Sequence, residues 1–259
     1  MTPTPDRPAP EVLPGAEAWS APGGPHGALV LHGFTGNPNS MRGVAKALAA
    51  AGFAVELPRL PGHGTTVADM MTTTWADWSA TAEAAYCDLA GRCERVVVVG
   101  LSMGGALTAW LASFHPEIAG IVTVNPVVQA PEGMRALVQD MVDAGQTAMD
   151  GIGSDIADPD VTESAYRQTP LAPLLSLFEA AEEFGARLGD IACPVLIITS
   201  RQDHVVEPVN SDVLAAGVSG PVERVTLDRS YHVATLDHDR DEVERRTVEF
   251  ATRVSAGSA

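Results

Sequence analysis

The sequence of 259 residues predicts an α/β protein whose core is a mostly parallel, doubly wound sheet. Six short runs are rich in Val, Ile and Leu at consecutive positions, which is typical of strands buried on both faces. These runs are residues 28–32, 54–57, 95–100, 120–124, 195–199 and 222–227. Segments with helical periodicity alternate with them, at residues 40–51, 75–91, 103–113, 208–217 and 239–254. This alternation predicts that helices cover both faces of the sheet.

One region interrupts the alternation. Between about residues 126 and 190 no convincing strand is found, whereas residues 134–149 and 171–188 have the pattern of amphipathic helices. A polar linker, GIGSDIADPD, connects the two. We therefore divide the chain into a core, residues 1–125 and 191–259, and a small helical cap inserted at residues 126–190.

The composition limits the possible partners. The chain has 33 acidic and 16 basic residues, so its formal net charge is −17. Such a charge repels nucleic acid and anionic membrane surfaces, and we expect neither as a partner. The three cysteines form no C-x-x-C pair, so we expect neither a metal site nor a disulfide framework.

The N-terminal segment MTPTPDRPAPEVLPGAEAWSAPGG contains Pro and Gly but no apolar run, unlike a signal peptide. Elsewhere no stretch reaches the length of a membrane span, so we expect no stable insertion in a membrane. These features predict a cytoplasmic protein, and we expect a monomer or a weak homodimer.

A candidate nucleophile follows the third apolar run. The sequence VVVVGLSMGG places Ser102 in a G-x-S-x-G motif between a strand and a helix. This turn is so tight that small residues must flank the serine, here Gly100 and Gly104. It also places the serine at a helix N-terminus, which favours developing negative charge.

An acyl-transfer enzyme also needs backbone N–H groups that stabilise the oxyanion of its tetrahedral intermediate. The residue after the nucleophile, Met103, supplies one N–H. The second is expected from the loop after the first strand, LVLHGFTG, and the best candidate is the N–H of Phe34. His32 precedes the nucleophile and ends a strand, which favours a structural role over that of a base.

The acid and the base are expected after the last two strands. Asp203 lies in the loop SRQDHVV after residues 195–199, and His232 lies in DRSYH after residues 222–227. The order Ser, Asp, His is one that known triads use, and open α/β sheets keep their sites at these strand ends. Asp228 and Glu207 are the alternative acids, and the remaining histidines lie away from the expected position.

These motifs together resemble bacterial carboxylesterases and monoacylglycerol lipases of the α/β-hydrolase superfamily. The similar segments are HGFTGN, PGHGT, GLSMGG, the R-Q-D loop and SYHVATLD, and the similarity extends from about residue 28 to about residue 250. The resemblance implies the α/β-hydrolase fold, a Ser–Asp–His hydrolase without a cofactor, and a small helical cap. It assigns Ser102, Asp203 and His232 to the triad, and Phe34 and Met103 to the oxyanion hole.

The expected substrates are short- to medium-chain carboxylic esters and monoacylglycerols, with weak activity on long-chain triacylglycerols. Phe34 and apolar residues of the cap are predicted to bind one acyl chain. The cap residues are Met134, Met141, Leu174 and Phe178. The alternative is that this apolar stripe only packs the cap onto the sheet.

Three other functions stay open at this point. The same triad can hydrolyse thioesters or carbon–carbon bonds, and the fold also occurs in non-catalytic binding proteins. A dehalogenase or an epoxide hydrolase would need an aspartate where Ser102 stands.

Overall fold

The computed structural model describes residues 10–151 and 153–257. Nine strands are described: β1 (Trp19–Ala21), β2 (His26–Leu31), β3 (Ala54–Leu57), β4 (Arg95–Leu101), β5 (Gly120–Val124), β6 (Ala148–Asp150), β7 (Gln168–Pro170), β8 (Val195–Ser200) and β9 (Val222–Leu227). The α-helices are α1 (Arg42–Ala50), α2 (Val67–Met70), α3 (Trp75–Ala90), α4 (Met103–Phe114), α5 (Met134–Asp143), α6 (Leu171–Gly185), α7 (Val209–Gly217) and α8 (Arg240–Ser255). Short 3₁₀ turns lie at Pro38–Met41 and Leu188–Asp190.

Seven strands form one sheet in the order β1-β3-β2-β4-β5-β8-β9. All neighbours are parallel except β1, which runs antiparallel to β3. The register pairs Leu31 with Gly100 and Val124 with Ile198. Because the carboxyl ends of parallel strands meet at one edge, the loops after β2, β4, β5, β8 and β9 gather there.

The sheet is covered on both faces, as the consecutive apolar residues predict. In β4, Val96 and Val98 belong to one apolar layer and Val97 and Val99 to the other. Helices α3, α4 and α6 pack in the first layer, and α1 and α8 pack in the second. The predicted doubly wound α/β architecture is confirmed. None of the described helices is long and apolar enough to cross a membrane.

Strand β1 is not among the six strands that the sequence predicts. It has only three residues and lies in a Pro- and Gly-rich segment. A second correction concerns residues 126–190, where we expected no strand. The helix expected over 134–149 ends at Asp143, since Gly145 adopts a φ of 82° that ends the helical course. The chain then forms β6, which pairs antiparallel with β7. Strands of three residues are too short to show alternation in a sequence.

The turn between β4 and α4 depends on two glycines. A Cβ atom on Gly100 would lie 2.0 Å from the carbonyl oxygen of Gly104. A Cβ atom on Gly104 would lie 2.2 Å from the carbonyl oxygen of Leu31 in β2. Backbone atoms occupy both positions, so neither contact can be relieved by a change of rotamer.

We therefore expect Gly104→Ala to destabilise the protein by more than about 3 kcal/mol, which lowers Tm by roughly 6 °C or more. Thermal unfolding of the purified variant measures this effect. The matched control is Gly185→Ala in α6, because a Cβ atom there would meet its nearest atom only at 4.0 Å. An unchanged Tm for Gly104→Ala would show that the turn can relax.

Candidate active site

Ser102 occupies the sharp turn between β4 and α4. Its backbone adopts φ 57° and ψ −116°, a conformation that costs about 1–3 kcal/mol. Its N–H donates to the carbonyl oxygen of Val124 at 2.9 Å, and its carbonyl oxygen accepts from the N–H groups of Ala106 and Val127 at 3.1 and 3.2 Å. These bonds to β5, α4 and the loop after β5 hold the turn in place.

Two other non-glycine residues with positive φ lie at the same edge of the sheet. They are Thr35 (φ 59°), after β2, and Asn125 (φ 46°), directly after β5. Within the described residues, these two and Ser102 are the only non-glycine residues with positive φ. Strained backbone tends to cluster at functional sites, so its distribution marks this edge of the sheet as the candidate site.

His232 and Asp203 form a buried pair beside Ser102. His232 Nδ1 lies 2.7 Å from Asp203 Oδ2, and their side chains are 9% and 1% exposed. Asp203 Oδ1 accepts from the N–H groups of Val205 and Val206 at 2.9 and 2.8 Å. Because Nδ1 faces the carboxylate, this pairing favours a proton on Nδ1 and leaves Nε2 free to accept one, as a general base requires.

Ser102 and His232 both line one cavity. No hydrogen bond joins their side chains among the described residues. In serine hydrolases without substrate this contact is often long, and it shortens in the Michaelis complex.

The two alternative acids lie elsewhere. Asp228 is exposed and pairs with Arg201 at 2.7 Å, on the surface. Glu207 is exposed at the rim of the cavity. Of the three carboxylates that follow the last strands, the structure brings only Asp203 to His232.

The amides of Phe34 and Met103 are available to an oxyanion. In the described ranges, neither N–H donates to a protein acceptor. Met103 is the first residue of α4, so its N–H lies at the positive end of the helix dipole. The loop that carries Phe34 passes close to the serine, since a Cβ atom on Gly33 would lie 3.4 Å from Ser102 Cβ.

His32 shapes this loop as a neutral side chain. Its Nδ1 lies 3.0 Å from the carbonyl oxygen of Gly33, and its Nε2 accepts from the N–H of Leu60 at 3.1 Å. Burial lowers the pKa of His32 well below its ordinary value, and the neighbouring His63 adds to this effect. Burial also lowers the pKa of His63 to about 4. Both rings are therefore uncharged at neutral pH, as a structural role requires.

A model of the alpha/beta hydrolase family matches residues 28–246. The chain belongs to the alpha/beta hydrolase family. The resemblance that we drew from the sequence motifs is thereby confirmed for most of the chain.

The relatives of this hydrolase include lipolytic enzymes. The thermostable monoacylglycerol lipase of Bacillus sp. (strain H-257) is 48% identical over 92% of this chain and 95% of its own length. A solved structure from work on the metagenome-derived lipolytic enzymes LipS and LipT has a TM-score of 0.90 and 42% identity, over 94% of this chain and 100% of that one. The monoacylglycerol lipase of Paleococcus ferrophilus has a TM-score of 0.75 at 21% identity, over 92% and 99% of the two chains, which shows a likeness of fold.

The cavity of this hydrolase has a volume of about 200 Å³. Of the residues expected to bind an acyl chain, Phe34, Met134, Leu174 and Phe178 line it. Met141 does not line it and packs against the apolar core instead. It lies on the same face of α5 as Met134 but about 10 Å further along the helix axis.

Sequence reasoning missed two carboxylates in this cavity, Asp155 and Glu163. Both belong to the segment between β6 and β7, which has no periodic pattern. Burial raises the pKa of Glu163 to about 7, and the nearby His232 opposes this rise. The described residues contain no group of three or more His, Cys, Asp or Glu that could hold a metal ion.

The contact between His232 and Asp203 predicts that Asp203 and Asp228 differ in their importance for activity. We expect Asp203→Asn to reduce kcat of ester hydrolysis by roughly 10⁴-fold, because the amide no longer holds the productive imidazole tautomer. Asp228→Asn is the matched control and is expected to change kcat less than about twofold, since exposed ion pairs contribute little. Steady-state kinetics on p-nitrophenyl butyrate measure both. A crippled Asp228→Asn beside an active Asp203→Asn would reverse the assignment of the acid.

Proposed function

We propose that this protein is a serine hydrolase that cleaves short- to medium-chain carboxylic esters, including monoacylglycerols, through an acyl-enzyme on Ser102. The observation that carries the proposal is that Ser102, His232, an apolar wall and the buried carboxyl group of Glu163 line the same cavity. The monoacylglycerol lipase of Bacillus that is 48% identical to this chain supports the same proposal by its name.

The reaction follows from the order of these groups. His232 Nε2 takes the proton of Ser102 as the serine oxygen attacks the ester carbonyl. The carbonyl oxygen becomes an anion that accepts hydrogen bonds from the N–H groups of Phe34 and Met103, each contributing a few kcal/mol. His232 then protonates the departing alcohol. Water enters, gives one proton to His232 and attacks the acyl carbon. His232 returns that proton to Ser102 as the acyl–oxygen bond breaks, which releases the acid and restores the serine.

The apolar side of the cavity suits an acyl chain. Met134, Leu174 and Phe178 line it from α5 and α6, and Met149 lines it from β6. These elements belong to the inserted segment 126–190, which we propose acts as the cap of the site. Flexible methionines adapt to an irregular apolar pocket, so the wall can accept several chain lengths.

The polar side of the cavity suits the glycerol group of a monoacylglycerol. Glu163 Oε1 lies close to Gly36 in the loop after β2, where a Cβ atom would come within 2.8 Å of it. Burial raises the pKa of Glu163 to about 7, so its side chain is mostly ionised above neutral pH. A carboxylate in this position accepts hydrogen bonds from the free hydroxyl groups of glycerol, and such charge-assisted bonds are the stronger ones.

Glu163 therefore favours a glyceride over the thioester and carbon–carbon substrates that the triad alone leaves open. The net charge of −17 disfavours adsorption to anionic lipid surfaces and self-association. The cytoplasmic location and the monomeric or weakly dimeric state stay predictions.

The proposal is tested with three substrates at equal enzyme concentration: p-nitrophenyl butyrate, monoolein and emulsified triolein. We expect the first two to be hydrolysed faster than triolein, because the cavity is sized for one acyl chain. Ser102→Ala is expected to lose on the order of 10⁶-fold in kcat on all three. Circular dichroism confirms that the variant is folded.

Two results would contradict this proposal. A folded Ser102→Ala variant with more than a few per cent of the wild-type rate would remove Ser102 from the mechanism. Fastest turnover of triolein would identify a lipase for long-chain triacylglycerols rather than an esterase.

A second test concerns Glu163. Its folded-state pKa of about 7 lies above its ordinary value, so the side chain is neutral below this pH and charged above it. We expect Glu163→Gln to lower kcat/KM for monoolein about 10-fold at pH 8.5, where the wild-type carboxylate is charged. At pH 5.5 the difference is expected to fall below about 3-fold, because both side chains are then uncharged.

The rate on p-nitrophenyl butyrate, which has no glycerol group, serves as the internal control and is expected to change little at either pH. Glu183→Gln, an exposed change on α6, is the matched variant. Equal losses on both substrates would show that Glu163 acts on the triad and not on glycerol.

A further inference from the structure

Asp155, in the segment between β6 and β7, contacts both loops that carry the proposed acid and base. Its Oδ2 accepts from the N–H of His232 at 3.0 Å and from the N–H of His204 at 3.2 Å. Its Oδ1 lies 2.8 Å from His204 Nδ1. Its own carbonyl oxygen accepts from the N–H of Val233 at 3.1 Å. The side chain is only 10% exposed, although His204 itself is largely exposed.

A second carboxylate makes the reciprocal connection. Asp237, fully buried five residues after His232, accepts from the N–H groups of Ala157 and Asp158 at 2.7 and 3.0 Å. The same carboxylate accepts from the N–H groups of Tyr231 and His238 at 2.9 and 2.7 Å. Each of the two segments therefore places a carboxylate among the amides of the other.

We propose that Asp155 is a positioning residue of the triad: its carboxylate fixes the backbone of His232 relative to the loop of Asp203. The inference rests on the proposed function, since it takes these two residues as base and acid. His204 directly follows Asp203 in the chain, so a single oxygen of Asp155 joins the amide of the base to the amide next to the acid.

The core holds only the carbonyl oxygens of the two peptide groups that flank His232 Cα. Asn125 Nδ2 donates to the carbonyl oxygen of His232 at 2.7 Å, and Ser200 Oγ donates to that of Tyr231 at 2.7 Å. Asp155 accepts from the N–H groups of the same two peptides, that of His232 through Oδ2 and that of Val233 through its own carbonyl oxygen. Each peptide group is therefore held at both its C=O and its N–H only when Asp155 contributes.

The inserted segment is attached to the core at further points after Asp155. The N–H of Tyr166 donates to the carbonyl oxygen of Thr35 at 3.1 Å, and its phenol donates to that of Gly62 at 2.7 Å. The phenol oxygen also accepts from the N–H of Thr65 at 2.8 Å. Together with the bonds of Asp237 to the amides of Ala157 and Asp158, these contacts limit the movement of the segment that carries Asp155.

The test compares three variants of the full chain on p-nitrophenyl butyrate. We expect Asp155→Ala to lower kcat about 10- to 100-fold with KM within about 2-fold, because a base displaced by about 1 Å transfers protons poorly while the acyl pocket is unchanged. Asp155→Asn is expected to retain kcat within about 3-fold, since its side-chain oxygen accepts the same two amides. Asp160→Ala, an exposed change in the same segment, is the matched control and leaves kcat unchanged.

Hydrogen exchange supplies a readout that does not depend on turnover. The amides of His232 and His204 are expected to lose protection in Asp155→Ala and to keep it in Asp155→Asn. If the alanine variant does not fold, Asp155→Ser replaces it, and its hydroxyl is expected to give an intermediate loss of kcat.

A folded Asp155→Ala or Asp155→Ser variant with kcat within twofold of wild type would overturn the inference. Equal losses in Asp155→Asn and Asp155→Ala would also overturn it, because the effect would then follow charge and not the amide bonds. Failure of the proposed function has a different signature, namely ester hydrolysis that persists in folded Ser102→Ala.

Discussion

The backbone of Ser102, at φ 57° and ψ −116°, is the constraint on which the site depends. A helix can begin one residue after a strand only if the chain reverses at this serine. The reversal brings Gly104 against the carbonyl oxygen of Leu31 in β2, with no room for a Cβ atom. The same approach places the loop that carries Phe34 beside Ser102. The proposed nucleophile and both proposed oxyanion amides are therefore positioned by one turn and one strand contact.

The proposed base, His232, is held in a different way. It lies in the loop after β9, an edge strand with several exposed residues. Its position comes from hydrogen bonds supplied by three separate parts of the chain: Asn125 after β5, Ser200 at the end of β8, and Asp155 in the inserted segment. The position of the proposed nucleophile thus depends on local sequence, whereas that of the proposed base depends on contacts with distant segments. We therefore expect changes in the inserted segment to affect the chemical step as well as substrate choice.

This division explains how much could be predicted from the sequence. The fold and the candidate nucleophile can be predicted because the physical constraint is local. A buried strand, Val96–Val99, is followed directly by the small residues around Ser102. Asp203 and His232 were placed by chain order and by the ends of strands, and the structure brings them together. For this prediction it is sufficient that each residue follows a strand and that the carboxyl ends of parallel strands meet at one edge of the sheet.

Other features depend on tertiary contacts that leave no pattern. Asp155 and Glu163 lie in an irregular segment, where spacing does not indicate which side chains face the cavity. Met141 shares a helical face with Met134, but periodicity does not tell how far along the helix the cavity extends. The ribbon of β6 and β7 has three residues in each strand, too few to be recognised.

If Ser102 forms the covalent intermediate, a fluorophosphonate probe should label this serine, and peptide mapping after the reaction detects the adduct. The probe reacts with a serine only where a base and an oxyanion hole activate it. We predict one adduct per chain, on the peptide that contains Ser102, together with loss of ester hydrolysis in proportion to labelling. An adduct on another residue, or full activity in a labelled protein, would contradict it.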